Sequence, residues 1–406
     1  MQVVRSNHVG TVGLRVASFR HLEIDGQIWM TVEIKPLTSL RFFAALAIVF
    51  HHLAGVMWIP AGYFGPYSLL SPVSLFFVLS GFVLHYSYSR RLSEIGWVAF
   101  SVQRFLRIWP AHVAVIALSA IWIQIPLIQF HAERQTFGEV LQIIFLLQAW
   151  SQNMIVFWGL NGPSWSISVE LFFYLTFPLF LIIIHRLGVV CFLLAVLSLN
   201  LLWLWGATVF LFHPDQEFNA LALGYIFPLA RLGGFAIGMG LSYFVSGRLS
   251  SLRAFPVWLW TFLEISALMF VLFTLGNLSY VSRMLQDRGV GPVFGQWVES
   301  SGGVLAFLLL ILVFAIGRGL ISKCLSFSIF VWLGKISFSM YLIHQPLIFH
   351  WTREVVPAQP SLFWQVFGYS VVLIMFSALL HKYVEVPGVS FGRWISGRLR
   401  SKNSIV

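Results

Sequence analysis

Ten apolar stretches, most of them near 20 residues long, recur along the chain, and no soluble core absorbs that much apolar surface. A helix crosses a bilayer with roughly 20 mostly apolar residues at 1.5 Å rise each. The stretches are Leu37–Trp58, Leu69–Tyr88, Ile108–Phe130, Trp165–Ile184, Val189–Phe212, Ala220–Phe244, Pro256–Gly276, Gly303–Ile316, Ser328–Phe349 and Leu362–Val384. With hydrophobic residues at 59%, charged residues at 10% and a mean hydropathy of +0.86, the chain is expected to be an all-α polytopic membrane protein of about ten transmembrane helices.

The formal net charge of +11 is spread between the apolar stretches and forms no basic domain, so nucleic acid is not an expected partner. With the N-terminus inside, the cytoplasmic loops hold Arg90, Arg91, Arg104, Arg107, Arg186, Arg248, Arg253, Arg318, Lys323, Lys382 and the basic residues from Arg393 onward. The outer loops then keep Arg134, Arg283, Arg288 and Arg353 beside Glu133, Asp287 and Glu354. The opposite parity violates the positive-inside rule, so both termini are expected to be cytoplasmic. The run Thr136–Trp150 is too short to cross and reads as an interfacial or re-entrant segment on the outer side. Residues 1–36 read as a cytoplasmic extension with Met30 as an alternative start, 37–387 as one transmembrane domain, and 388–406 as a short basic tail facing anionic lipid. Cys191 and Cys324 are too few for a disulfide framework or a thiolate metal site, and no metal is expected.

Ionisable side chains inside the apolar stretches are the candidate functional residues, since an Arg at mid-membrane costs about 2.5–3.5 kcal/mol on insertion scales. The first stretch holds Arg41, His51 and His52. Eleven residues separate Arg41 from His52, about 16 Å along a helix, which places the arginine near the inner face and the histidine in the outer half. Arg41 is also close enough to the helix start to snorkel into headgroups. His51 and His52 point about 100° apart, so only one faces any given target. The fourth stretch puts Ser164, Ser166 and Glu170 in the outer half, and the ninth puts His344 there. A histidine beside a carboxylate can act as general base towards a hydroxyl, which makes His52, Glu170 and His344 catalytic candidates. The same groups can equally bond to backbone or to one another and only hold helices together. Arg231 lies mid-span among Gly233, Gly234, Gly238 and Gly240 and needs either an acid such as Glu170 or a ligand. Arg104 and Arg107 share a helical face at the cytoplasmic surface, where they suit phosphate groups or simply serve as topology charges.

Seven segments, LRFFAALAIVFHH, SLFFVLSGFVL, QRFLRIWP, WSISVELFFYLTFP, RLGGFAIGMGLS, GKISFSMYLIHQPL and YVEVPG, stand in an order that resembles the acyltransferase 3 family of membrane O-acyltransferases. The resemblance covers Leu37 to Pro387. It implies transfer of an acyl group, commonly acetyl, from cytoplasmic acyl-CoA to a hydroxyl of an envelope carbohydrate or glycolipid, in a bacterial-type cytoplasmic (inner) membrane, with no bound cofactor. It maps the family's first-helix arginine and histidine to Arg41 and His52, its arginine pair to Arg104 and Arg107 as handlers of the donor, its SGF motif to Ser80, Gly81 and Phe82, and its late tyrosine and histidine to Tyr341 and His344. His51 stands where an aromatic or aliphatic residue is more usual. A stand-alone membrane domain is expected, without the hydrolase-like domain that some members append. In this scheme His52 activates the acceptor hydroxyl or transiently carries the acyl group, and Glu170 or His344 orients it. Acceptor specificity is expected in outer loops at Asn161–Trp165, His213–Asn219 and Leu278–Glu299. The rival class is a transporter or flippase of a lipid-linked sugar that binds substrate with the same buried groups and performs no chemistry.

Overall fold

The computed structural model describes residues 23–24, 27–28, 33–56, 71–123, 135–216, 218–246, 248–356 and 361–403. Met30 as an alternative start and the turn IPAGYFGPYS lie outside them. Apart from a two-residue antiparallel pairing of Glu23–Ile24 with Gln27–Ile28, the regular structure is helical. The principal helices are α1 (Lys35–Val56), α2 (Pro72–Tyr88), α3 (Trp97–Ile123), α4 (Phe137–Ile144), α5 (Trp165–Leu187), α6 (Val189–Gly206), α7 (Pro228–Val245), α8 (Val257–Asp287), α9 (Pro292–Ser301), α10 (Val304–Ile316), α11 (Ser328–Glu354), α12 (Leu362–Leu380) and α13 (Val386–Asn403).

The protein is a multi-pass membrane protein. Among the described residues, 7 helical segments, rather than ten, are long and apolar enough to cross a membrane: Lys35–Ala54, Gly162–Leu187, Val189–Leu211, Asn219–Val245, Val257–Asp287, Pro292–Ile316 and Leu362–Leu399. The other three expected stretches also form helices. α2 is apolar but has only 17 residues, and of the two 27-residue helices α3 carries Arg104 and Arg107 and α11 carries His344.

Three boundaries differ from expectation. α3 is one helix from Trp97 through Pro110 to Ile123, so the amphipathic segment bearing Arg104 and Arg107 is continuous with the apolar stretch behind it. Leu278–Glu299 is largely helix, because α8 continues to Asp287 and α9 starts at Pro292, where proline suits the first helical turn. The basic segment after Pro387 is helical too, and α13 packs along α3. Pro110 has no N–H to offer the carbonyl of Leu106, and Gly388 lies so close that a Cβ there would stand 2.7 Å from that oxygen. Further along, Ser396 Oγ donates to the carbonyl of Ala99 at 2.9 Å. The short run after Thr136 forms α4, 8 residues and about 12 Å long, opened by a capping box between Thr136 and Glu139.

Glycines set the helix spacing at the centre. A Cβ on Gly81 would lie 2.0 Å from the Phe235 carbonyl, and one on Gly238 would lie 2.0 Å from that of Val78, so α2 and α7 cross in backbone contact. Gly334 does the same for α11 against Thr38 of α1, again at 2.0 Å. Small residues give apolar helices their closest packing where lipid supplies no hydrophobic drive, and here they bring α1 against α11.

Candidate active site

α11 carries the run SMYLIHQPLI, and its proline reorganises the hydrogen bonds around it. Pro346 cannot donate to the carbonyl of Leu342 four residues earlier, and Asn161 Nδ2 donates there instead at 3.0 Å. One residue before Leu342 and two after it, side chains also engage the backbone. His344 Nδ1 bonds to the Tyr341 carbonyl at 2.6 Å, and the Tyr369 hydroxyl donates to the His344 carbonyl at 2.9 Å. A carbonyl only accepts, so Nδ1 of the fully buried His344 carries the proton and its Nε2 is an acceptor. That Nε2 lies 2.9 Å from Nδ1 of His52 on α1, which must therefore donate. With both imidazoles neutral, these bonds fix their tautomers and leave the lone pair of His52 on Nε2. His51 stands outside this pair, edge-on to His52 at 5.3 Å between ring centroids.

Towards the start of α1 lies a cavity with about 750 Å³ of empty space, its mouth included. Arg41, Arg104, Arg107, Glu170 and Tyr174 form its polar lining. The three-residue spacing of Arg104 and Arg107 turns both towards it, so they line an interior cavity and not an outer surface; Arg104 is only 8% exposed. The Arg104 guanidinium lies over the rings of Tyr88, Phe100 and Tyr174, at 4.6, 5.5 and 5.7 Å from their centroids. Among the described residues, none of the three arginines forms a salt bridge. Ser166 and Tyr341 also line the cavity. Their hydroxyls meet at 2.7 Å, and Tyr341 donates to the Pro163 carbonyl at 2.9 Å. Tyr341 is one helical turn from His344, with 5.8 Å between ring centroids, so the tyrosine wall of the cavity adjoins the histidine pair.

The structure therefore divides the candidates. It brings His52 to His344, and it places Glu170 with the arginines, where the Tyr174 hydroxyl donates to its carboxylate. His52 is hydrogen-bonded to His344, while Glu170 lies in the cavity lining with the arginines. Arg231 does not pair with Glu170 either; its guanidinium is held by Ser74, Ser300 and Ser301. Ser164 serves the turn before α5, donating to the Asn161 carbonyl at 2.6 Å and accepting from Gln148 Nε2 at 3.2 Å. Tyr174 is not among the residues the sequence singles out, and Asn161 is there only as the start of an outer loop. Tyr174 was findable as the residue one turn after Glu170, whereas nothing in the sequence joins Asn161 to Leu342. Among the described residues, no three His, Cys, Asp or Glu side chains gather as a metal-holding group.

The chain is similar in sequence to known acyltransferases. The chain is 32% identical over 165 residues to the acyltransferase MdmB of Streptomyces mycarofaciens, covering 39% of this chain and 42% of that one. It is 24% identical over 388 residues to the peptidoglycan O-acetyltransferase OatA of Listeria monocytogenes, covering 87% of this chain and 55% of the relative. It is 26% identical over 381 residues to the O-acetyltransferase OatA of Staphylococcus aureus, covering 86% and 56%. The chain spans about half the length of these curated relatives. No solved structure matches it. The acyltransferase domain Acyl_transf_3 matches residues 35–382, the whole stretch from the start of α1 to the turn after α12, and the protein belongs to the acyltransferase 3 family.

Proposed function

We propose that the protein is a membrane O-acyltransferase, in the simplest case an O-acetyltransferase, that moves an acyl group from cytoplasmic acyl-CoA to a hydroxyl of an envelope or exported carbohydrate. In this reading α2, α3 and α11 complete ten spans, both termini are cytoplasmic, and the membrane is the bacterial-type inner membrane. The observation that carries the proposal is the hydrogen bond from His52 to His344, with a deprotonated Nε2 left at the far end of the helix that brings Arg41 into the cavity. Arg41, Arg104 and Arg107 suit the phosphates of CoA, because guanidinium groups without carboxylate partners keep their charge-assisted hydrogen bonds for a ligand. From that end, a pantetheine arm along α1 has about 16 Å to cover to His52.

His52 Nε2 takes the proton of the acceptor hydroxyl as its oxygen attacks the thioester carbonyl. His344 Nε2 accepts the Nδ1–H of His52 throughout, which steadies the imidazolium that forms. When the tetrahedral intermediate collapses, the carbon–sulfur bond breaks and the proton passes from His52 to the CoA sulfur. General base catalysis of this kind contributes about 10²–10⁴-fold.

The test is thiol release from acetyl-CoA by purified protein in liposomes with envelope extract as acceptor. Wild type should release thiol, His52→Ala should lose at least a hundredfold in kcat, and His51→Ala should stay within a few-fold at matched folded amounts. Equal rates for wild type and His52→Ala would remove the histidine mechanism. Wild type that leaves every acyl-CoA intact would favour the transporter.

A further inference from the structure

One buried carboxylate near the arginines has no part in these steps. α12 does not run straight into α13, because His381–Glu385 forms a π-helical turn, a feature that re-aims side chains and recurs at functional sites. The turn carries Glu385, 6% exposed, onto α11, where its Oε2 accepts from Ser339 Oγ at 2.9 Å and from His381 Nδ1 at 2.8 Å. The elements around it bear two of the arginines. Gly388, just past the turn, lies against the carbonyl of Leu106, the residue before Arg107. Gly334 of α11 lies against Thr38 and Ser39 of α1, the turn that leads into Arg41. Glu170 and Glu385 are the carboxylates within electrostatic reach of both Arg41 and Arg107, yet Glu385 makes no salt bridge with either. Held by Ser339 and His381, Glu385 does not place the guanidiniums.

We propose that Glu385 sets the affinity of the arginine cavity for its polyanion: with Glu170 it offsets two of three guanidinium charges, so that the phosphates of the donor bind and those of the equally anionic product still leave. This rests on acyl-CoA being the donor. Without Glu385 the cavity gains one net positive charge in an environment that screens poorly, and product release slows.

The experiment measures binding of free CoA to the full-length protein in detergent, by calorimetry at several salt concentrations, with steady-state kinetics alongside. Glu385→Gln keeps an acceptor for Ser339 and should bind CoA roughly tenfold tighter, with a steeper salt dependence and with KM and kcat falling together. A merely structural role predicts the opposite sign, since a damaged cavity binds more weakly. His381→Lys sets a permanent cation against Glu385 from outside and should also tighten binding; it carries the test if the glutamine variant does not fold. Wild-type or weaker CoA affinity in the folded variant overturns the inference. Wild type that binds no CoA brings down the donor reading and this inference with it, whereas wild type that binds while the variant gains nothing brings down the inference alone.

Discussion

Arg231 and the arginines of the cavity are both buried in apolar helices, and the protein treats them differently. Arg231 is 2% exposed, and its guanidinium donates from Nη1 to Ser300 and Ser301 at 2.7 and 2.8 Å and from Nη2 to Ser74 at 2.5 Å. The rings of Phe77 and Tyr225 lie 5.4 and 5.1 Å from its centre. Ser300 and Ser301 end α9, where the free carbonyls of a helix C-terminus favour a cation. One side chain thus ties α2, α7 and α9. Arg41, Arg104 and Arg107 face open space with Glu170 as the carboxylate in the lining. A charge inside a membrane protein marks a ligand site when its hydrogen-bonding capacity is left over, and marks a joint when the protein has used it.

Arg231→Ala should give the largest effect on stability. It leaves three serine hydroxyls around a void among three helices, and a loss of about 3 kcal/mol is expected. Arg231→Lys should recover only part, since one ammonium cannot span the three oxygens as the planar fork does. Thermal unfolding in detergent reads this, and the folded fraction should bind CoA as wild type does. An Arg231→Ala protein that melts normally but loses CoA would reverse the comparison.

Arg41→Ala and Arg107→Ala should show the other profile. Each removes a charge-assisted contact to the donor, about 1.5–3 kcal/mol, so KM for acyl-CoA should rise at least tenfold. Unfolding should be unchanged or shifted upward, because a desolvated charge with no salt bridge is itself a cost. A fall in melting temperature as large as that of Arg231→Ala, with KM untouched, would make these arginines joints as well.

Sequence patterning foretold the helices, because apolar runs of bilayer length have few other solutions. It also singled out His52 and His344 as ionisable groups well inside apolar helices, since that is a count of residues along each stretch. It did not carry their contact, which joins positions 292 residues apart and depends on Gly334 letting α11 touch α1. Counting residues sets Glu170 level with the histidines, whereas the structure puts it in the cavity lining with Arg41, Arg104 and Arg107. Arg104 and Arg107 looked like surface charges because the segment before Ile108 is polar, and only the unbroken run of α3 through Pro110 shows that their face turns inward.

Arg104 lies between the two cases and should give the smallest effect. It lines the cavity with the other two arginines, yet its guanidinium rests on three aromatic rings, the kind of packing that fixes a side chain in place. Arg104→Lys retains the charge and loses most of the flat contact with the rings of Tyr88, Phe100 and Tyr174. Cation–π packing of this kind is worth about 0.5–1 kcal/mol at exposed sites and about 2 when desolvated, and a lysine meets phosphate as a point charge without the bidentate fork. The loss should therefore appear in both readouts at once, as a drop of about 1 kcal/mol in unfolding free energy and a rise of a few-fold in KM for acyl-CoA. If only KM moves, the rings do nothing that the charge does not do alone, and Arg104 belongs with Arg41 and Arg107. If only stability moves, the aromatic box is its whole function, and the donor is held by the other two arginines.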